Sequence, residues 1–260
     1  MYRDAWTRGA ELIFPTMKKK DAMIPKVIHY TWFGGKSLPR DVRRCMDSWM
    51  KHCPDYEIVK WDESNFDINC HPFCQKAYQQ QKWAFVSDYA RLKVIYENGG
   101  IYLDTDVELL RSLDDLLGLK CWVGIEQSAK LCATGLGFGA IPKSPAVERL
   151  MSEYDDEIFS EDLLAAMACP ILNNRALLRM GYTYSNEIVD LGDITVYPPR
   201  YFDPIAPGGD SKNLLCDDSY SVHQYSNSWG SRSDVIRRKV IRLIGVKRIE
   251  AIKSILFGNK

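Results

Sequence analysis

The chain alternates between short apolar runs and longer amphipathic stretches. Residues 26–33 are rich in β-branched and aromatic side chains and stop at two glycines, so they predict a buried strand followed by a loop. Residues 39–50 have helical periodicity, and residues 56–61 alternate as a second strand. This order of elements favours an α/β fold, with a parallel or mixed sheet flanked by helices.

The clearest helix is predicted over residues 75–98. Its aromatic and aliphatic side chains recur at helical spacing, and Gly99 is typical of a helix C-terminus. Residues 101–103 then form a short strand that runs into Asp104-Thr105-Asp106.

The later chain is less regular. A strand is expected over residues 121–126 and helices over 145–157 and 161–168. Between the strand at 121–126 and the helix at 145–157, glycine stands at every second position and predicts a flexible or closely packed loop: Gly135, Gly137 and Gly139. Their spacing is not that of a dinucleotide-binding motif.

Three segments are distinguished. Residues 1–23 are expected to be a leader outside the core, residues 24–234 a single catalytic domain, and residues 235–260 a basic amphipathic helix. The last segment has eight basic residues and one acid, a net charge of +7 in a chain whose total is zero. Such a helix binds an anionic membrane surface or packs on its own domain with a solvated basic face, and both interpretations stay open.

Composition excludes several classes of protein. With 34 basic and 34 acidic residues, bulk charge does not favour nucleic-acid binding. No apolar run approaches the roughly 20 residues needed to span a bilayer, and no signal peptide is recognised, so a cytoplasmic location is expected. The eight cysteines lack the usual zinc-site spacing around Cys70, His71 and Cys74, and free thiols are expected instead.

The acidic pair is the central chemical signal. Asp104 and Asp106 follow a buried strand, where carboxylates are costly to desolvate without a positive partner. A hard divalent cation bound by carboxylate oxygens meets that need.

Other candidates are weaker when taken alone. Ser87, Asp88 and Arg91 could present a hydroxyl, a carboxylate and a guanidinium to a sugar or phosphate, or be an ordinary exposed helix pair. Trp32, after the first strand, could stack on a base or cap the core. His223 gains interest only beside a metal site.

Three segments together resemble the family 32 glycosyltransferases, named for a sugar-binding region with a D-x-D motif. Residues 24–34 are similar to the family's opening, residues 84–106 to its central motif, and residues 223–229 to its closing segment. The resemblance implies a GT-A fold, which is Rossmann-like and binds a nucleotide sugar. It also implies a UDP- or GDP-sugar donor, Mn²⁺ or Mg²⁺, and retention of anomeric configuration.

The resemblance further implies roles for individual residues. Trp32 would stack on the base, with Ser87 and Tyr102 near the nucleotide, and Asp88 and Arg91 would hold the donor sugar. The metal would be bound by Asp104, Asp106 and His223, and the β-phosphate by Ser228 and Trp229. Catalysis would rest on Asp88, Arg91, Asp104 and Asp106. The acceptor would be a glycan or a lipid-linked oligosaccharide in surface or capsular polysaccharide synthesis, used by an enzyme that is cytoplasmic or peripheral on the inner face of the membrane.

Two alternatives stay open. One is a haloacid-dehalogenase-type phosphatase that uses Asp104 as a phosphorylated nucleophile. The other is a non-catalytic carbohydrate-binding protein, whose sugar binding would not depend on metal.

Overall fold

The computed structural model describes residues 23–207 and 211–225. The predicted leader (1–23, except its last residue), the predicted C-terminal helix (235–260), Ser228 and Trp229 lie outside these ranges. Nine strands and six helices follow in the order β1 (Val27–Thr31), α1 (Arg40–His52), β2 (Glu57–Trp61), α2 (Pro72–Gln79), α3 (Trp83–Asn98), β3 (Gly100–Tyr102), β4 (Val107–Leu109), β5 (Cys121–Gly124), β6 (Phe138–Ala140), α4 (Pro145–Ser152), α5 (Cys169–Arg179), β7 (Val189–Asp190), β8 (Thr195–Tyr197), α6 (Pro199–Phe202) and β9 (Ser221–His223).

Seven strands form one mixed sheet in the order β2-β1-β3-β6-β5-β8-β7. Strand β1 is parallel to β2 and β3, and β5 is parallel to β8. Strand β6 is antiparallel to both β3 and β5, so those two run in the same direction. The carboxyl ends of β1, β3, β5 and β8 therefore meet at one edge of the sheet. The predicted α/β fold, a mixed sheet flanked by helices, is confirmed.

Side chains on the sheet alternate between two apolar clusters, as the two-residue period of a strand requires. Along β3, Tyr102 packs into the cluster that contains α3, whereas Ile101 packs into the cluster with Trp49 of α1. Helices therefore cover both faces of the sheet. None of the helices in the described ranges is both long and apolar enough to cross a bilayer.

The predicted helix over residues 75–98 is wrong as one element, because it is two helices. Helix α2 ends at Gln79, and α3 begins at Trp83. Between them Gln81 has a left-handed backbone with φ of 56°, and the Lys82 N–H bonds to the Ala77 carbonyl. Neither residue is a glycine or proline, so the sequence carries no conventional signal for this break.

Helix α3 is buried on more than the one side that periodicity predicted. It packs against α2, α4 and β1, and Asp88 and Arg91 are among its buried residues. The interpretation of these two as an ordinary exposed pair is therefore wrong.

The middle of the chain corrects two further expectations. The predicted glycine loop contains a 3₁₀ turn at Thr134–Leu136 and then β6, an inner strand of the sheet. The predicted helix over 161–168 is only a 3₁₀ turn at Glu161–Leu163, and the α-helix of this region is α5, after it. The eight cysteines are free, as expected, although Cys216 is exposed rather than buried.

Candidate active site

The candidate site lies where β1 and β3 end at the shared edge of the sheet. Strand register pairs His29 with Tyr102, so the residues that follow each strand emerge side by side. Asp104 comes two residues after β3, and its carbonyl accepts the N–H of Val107 in a tight turn at 2.9 Å. In open α/β sheets, ligands bind outside the carboxyl ends of the strands.

The structure brings together Asp104, Asp106 and His223, which the resemblance implied as metal ligands, in one cluster that could hold a metal ion. One ligand atom of each lies within 4.8 Å of the others, and no second cluster of this kind occurs among residues 23–207 and 211–225. His223 reaches the site because β9 pairs with β4, which places His223 opposite Val107. Its Nε2 lies 3.1 Å from Asp106 Oδ1, and its buried Nδ1 has no hydrogen-bond partner among the described atoms.

The residues present fit a divalent cation. Two carboxylates and an imidazole are ligands that Mn²⁺ accepts, and carboxylate oxygens suit Mg²⁺. Burial acts to lower the pKa of His223, but the nearby carboxylates, chiefly that of Asp106, together have the larger opposite effect, so the pKa of His223 is raised above its usual value. Burial also raises the pKa of Asp104, against the opposing charge of Arg91. Carboxylates held in this way favour a bound positive charge.

Arg91 links the predicted sugar-binding pair to the acidic cluster. Its Nη2 donates to Asp88 Oδ1 at 2.7 Å and lies 3.4 Å from Asp104 Oδ1. Asp88 also accepts the backbone N–H of Cys169, the first residue of α5, and burial raises the pKa of Asp88 to about 6. The Asp88 and Asp104 carboxylates and the Arg91 guanidinium thus form one group beside the N-terminus of α5.

A chain of hydroxyls lies beside this group. The Tyr102 hydroxyl donates to Asp104 Oδ1 at 2.9 Å and lies 2.8 Å from Thr31 Oγ1. Thr31 Oγ1 lies 2.9 Å from Ser87 Oγ, so the predicted residues Ser87 and Tyr102 meet through Thr31. Trp32 follows Thr31 at the same edge, half-buried, with its indole N–H donating to the Lys36 carbonyl at 2.6 Å.

Sequence reasoning missed several residues of this region. Thr31 was hidden within a strand, and Gly135 was assigned only to a loop. A Cβ on Gly135 would lie 2.4 Å from Asp104 Oδ2 and 2.9 Å from Arg91 Nη1, so its backbone packs directly on the charged group. Glu126 follows β5 at the same edge, where burial and then the Asp203 carboxylate raise its pKa to about 7. Its place at the end of a predicted strand was the available signal.

The comparisons with known proteins agree with this geometry. Residues 39–122 match the family model described as "Glycosyltransferase sugar-binding region containing DXD motif". The "Uncharacterized glycosyltransferase L373" of Acanthamoeba polyphaga mimivirus is 27% identical over 220 residues, covering 80% of this chain and 84% of that protein.

A yeast protein and a solved structure give further matches. "Inositol phosphoceramide mannosyltransferase 3" of Schizosaccharomyces pombe is 34% identical over 123 residues, which are 46% of this chain and 34% of that protein. The chain therefore matches only about a third of the yeast protein's length. The structure titled "PaToxG Glycosyltransferase" covers 61% of this chain and 70% of its own at a TM-score of 0.50 and 19% identity, which is a likeness of fold.

Proposed function

We propose that the chain is one of the glycosyltransferases that carry a DXD-containing sugar-binding region, and that it moves a hexose from a UDP- or GDP-sugar to a glycan or lipid-linked acceptor. The proposal includes a divalent metal, Mn²⁺ or Mg²⁺, and retention of anomeric configuration. The observation that carries it is the cluster of Asp104, Asp106 and His223 beside the Asp88–Arg91 pair. The phosphatase and inert-binder alternatives have no such support from the matched relatives.

The residues that would hold the ion are Asp104, Asp106 and His223. The chemistry that such an ion supplies is neutralisation of the negative charge that develops on the departing diphosphate. Stabilisation that grows as this charge grows lowers the barrier rather than merely tightening binding.

Arg91 and Asp88 would orient the donor sugar. Arg91 is held by two carboxylates, so its guanidinium needs little reorganisation when the donor binds. Trp32, at the end of β1, would stack on the base, and base stacking contributes about 1–3 kcal/mol. Fixed groups of this kind supply much of a transfer reaction's rate through positioning.

In the proposed transfer step, the acceptor attacks the donor sugar directly and no protein side chain acts as a nucleophile. A new bond forms between the acceptor oxygen and the anomeric carbon on the face from which the diphosphate departs. The bond between the anomeric carbon and the diphosphate oxygen breaks, and the acceptor proton passes to a phosphate oxygen of the leaving group. The anomeric configuration is thereby retained.

Location is also part of the proposal. We place the enzyme in the cytoplasm, with residues 235–260 bringing it to the inner face of the membrane because of their charge of +7. Loss of sedimentation with anionic vesicles on deletion of residues 235–260 is the expected result, and unchanged sedimentation would remove the membrane element.

A panel of UDP- and GDP-sugars with purified protein tests the central proposal. We expect one donor to be hydrolysed slowly in the presence of Mn²⁺, to protect the protein against thermal unfolding, and to do neither after EDTA treatment. Release of phosphate from aryl phosphates without any sugar donor would instead support a phosphatase. Metal-independent sugar binding without turnover would support an inert binder.

A further inference from the structure

A second concave surface lies beside the candidate active site. It is a cleft of about 720 Å³, and the residues that line it include Gln127, Lys130, Tyr184, Asn186, Arg200 and Lys212. None of the residues that line it is a ligand of the proposed metal site.

The cleft is built at the same edge of the sheet as the active site. Gln127 follows β5, and Arg200 follows β8, whose carboxyl ends point the same way as those of β1 and β3. Strand β5 is two positions from β3 in the sheet, which corresponds to about 10 Å at the usual strand spacing. A molecule in the cleft therefore lies next to the donor site.

Asp203 joins the two regions. Its Oδ2 accepts the backbone N–H of Gln127 at 2.8 Å and the Tyr225 hydroxyl at 2.8 Å. The Tyr225 ring packs on His223, with ring centroids 4.2 Å apart. One wall of the cleft is thus fixed to the proposed metal ligand through a single carboxylate.

The lining of the cleft is cationic. Among the residues that the structure describes, it contains three basic side chains and no carboxylate. Arg200 is paired with Glu187 at 3.1 Å, outside the lining, whereas Lys130 and Lys212 are exposed and form no ion pair with the residues that the structure describes.

Both lysines are held in place by the backbone. The Lys212 N–H donates to Gln127 Oε1 at 2.5 Å, and Gln127 Nε2 donates to the Lys212 carbonyl at 3.0 Å. Lys130 has a left-handed backbone with φ of 59°, and its ammonium lies 4.8 Å from the centre of the Tyr184 ring. The backbone of Lys212 is thereby anchored to one lining residue, and the Lys130 ammonium lies over another.

The remaining lining suits a carbohydrate. The Gln127 amide is engaged by Lys212, and the Tyr184 hydroxyl donates to Asn186 Oδ1 at 3.1 Å, which leaves the Asn186 amide N–H groups and the Tyr184 ring to face a sugar. An amide, an aromatic ring and two lysines without an ion pair among the described residues fit a sugar that carries a phosphate group, because phosphate oxygens are strong acceptors for ammonium groups.

We propose that this cleft is the acceptor site and that the acceptor is a glycan bearing a phosphate group, bound by Lys130 and Lys212. This inference rests on the proposed function, since it names the acceptor class of that reaction.

The first experiment measures binding of mannose 6-phosphate and mannose to the full chain by calorimetry, with EDTA present so that the metal-dependent donor site does not contribute. We expect mannose 6-phosphate to bind and mannose to bind at least about tenfold more weakly, because only the phosphate is a charged acceptor for the lysine ammonium groups. In the double variant Lys130→Glu/Lys212→Glu we expect the preference for the phosphorylated sugar to disappear. Added salt should weaken the wild-type binding.

The matched control is Lys143→Glu. Lys143 is also exposed, also has a left-handed backbone, with φ of 57°, and also lies over a tyrosine ring, Tyr96, at 4.4 Å, but it is not in the cleft. Its reversal should leave the preference unchanged. Equal binding of the two sugars by the wild type, or equal loss in the control, would overturn the proposal.

Donor turnover separates this inference from the proposed function. Hydrolysis of the donor sugar with Mn²⁺ should be unchanged in Lys143→Glu, the control outside the cleft. If the phosphorylated sugar binds as expected but no donor is turned over, the proposed function fails and the cleft remains a sugar-phosphate site. If the donor is turned over and the cleft variants bind like wild type, the acceptor assignment fails alone.

A vesicle-binding experiment tests whether the phosphate belongs to a lipid headgroup or to a free glycan. Vesicles of phosphatidylcholine with phosphatidylinositol are compared with phosphatidylcholine alone, using wild type and Lys130→Glu/Lys212→Glu. Binding to the mixed vesicles that depends on the two lysines would place the phosphate in a lipid headgroup. Dependence on the lysines with the soluble sugar phosphate only would place it in a free glycan, and dependence with neither probe would contradict the proposal.

Discussion

Single residues of the candidate site stabilise one another through charge. Arg91 is 4% exposed and Asp88 8% exposed, and an isolated charge at either position would be costly. Removal of one partner from a buried pair of this kind commonly costs several kcal/mol because the other charge is left uncompensated. Substitutions at Asp88 or Arg91 would therefore confuse folding with catalysis, and the metal ligands give cleaner tests.

Asp106→Asn keeps the shape of the side chain and removes its charge. We expect turnover of the donor sugar to fall by at least about a hundredfold, because the proposed metal loses a charged ligand. The free energy of unfolding should fall by about 1–3 kcal/mol, because the shape is kept but the buried Asp106 loses its charged pairing with His223. Donor hydrolysis and urea unfolding measure the two effects.

The control for this change is Asp115→Asn. Asp115 is exposed and pairs with Arg111 at 2.6 Å, so Asp115→Asn removes the same charge outside the metal cluster. We expect its turnover of the donor sugar to equal that of the wild type. Unfolding of Asp106→Asn under conditions where Asp115→Asn is folded would show that Asp106 has a structural role instead.

Glu126→Gln tests the electrostatics next to the metal site through pH. Folding raises the pKa of Glu126 from 4.5 to about 7, first by burial. The folded state then binds the proton more tightly, so the stability that this proton binding confers is present below pH 4.5 and is lost as the pH rises to about 7. The variant lacks this titration, and its stability relative to wild type should rise over that interval by at most about 3 kcal/mol. Urea unfolding at both ends of the interval measures it, and a constant difference would contradict the assignment.

At the scale of elements, the sequence predicts the parts in which local pattern and tertiary role agree. Strands β1, β2 and β5 and helix α1 carry periodicity that survives in the structure. Strand β6 was missed because it has three residues and a central glycine. A Cβ on Gly139 would lie 2.6 Å from Trp122 Nε1, so that glycine is required by packing across the sheet rather than by loop flexibility. No local pattern records such a contact.

The candidate site also contains residues that the sequence could identify and contacts that it could not. Asp104 and Asp106 could be found because both follow one strand, and the resemblance supplied His223. The contact of Gly135 with Asp104 and the Cys169 N–H at Asp88 depend on how the 3₁₀ turn and α5 approach α3. Those approaches are set by the packing of distant segments, which sequence periodicity does not encode.

Gly135→Ala tests how the 3₁₀ turn positions the acidic cluster. The added methyl would force Asp104 or Arg91 to move, because the nearest oxygen would be 2.4 Å away. We expect turnover of the donor to fall by at least about tenfold, and overpacking of this kind costs about 1–3 kcal/mol of stability. Gly118→Ala is the matched control, since a Cβ there meets nothing within 4 Å and neither glycine has a positive φ. Equal activity of the two variants would show that Asp104 can shift without consequence.

For the whole molecule, the sheet edge explains why distant segments converge. Loops after β1, β3, β5 and β8 meet there, and β9 adds His223 through its pairing with β4. The order of strands from β1 to β8 therefore sets how far apart the candidate active site and the cleft lie along this edge. A buried histidine on β1, His29, connects β2 with Gly99, the residue before β3.

His29 makes the stability of the sheet depend on pH. Its Nδ1 accepts the Trp61 indole N–H at 3.0 Å, and its Nε2 lies 3.1 Å from the Gly99 carbonyl oxygen, so the neutral ring with the proton on Nε2 satisfies both neighbours. A second proton on Nδ1 would oppose the Trp61 N–H. Burial also disfavours the charged ring and lowers the pKa of His29 from 6.5 to about 4.

The unfolded chain then binds the proton more tightly than the folded one. This histidine contributes stability above pH 6.5 that is lost as the pH falls towards about 4, by at most about 3 kcal/mol. The slope has the opposite sign to that of Glu126, so wild-type protein alone would show a flattened profile. We therefore expect His29→Gln to gain stability relative to wild type as the pH falls, whereas Glu126→Gln loses it over the overlapping range. Urea unfolding of both variants across that range would separate the two groups, and parallel profiles would refute the assignment of either pKa.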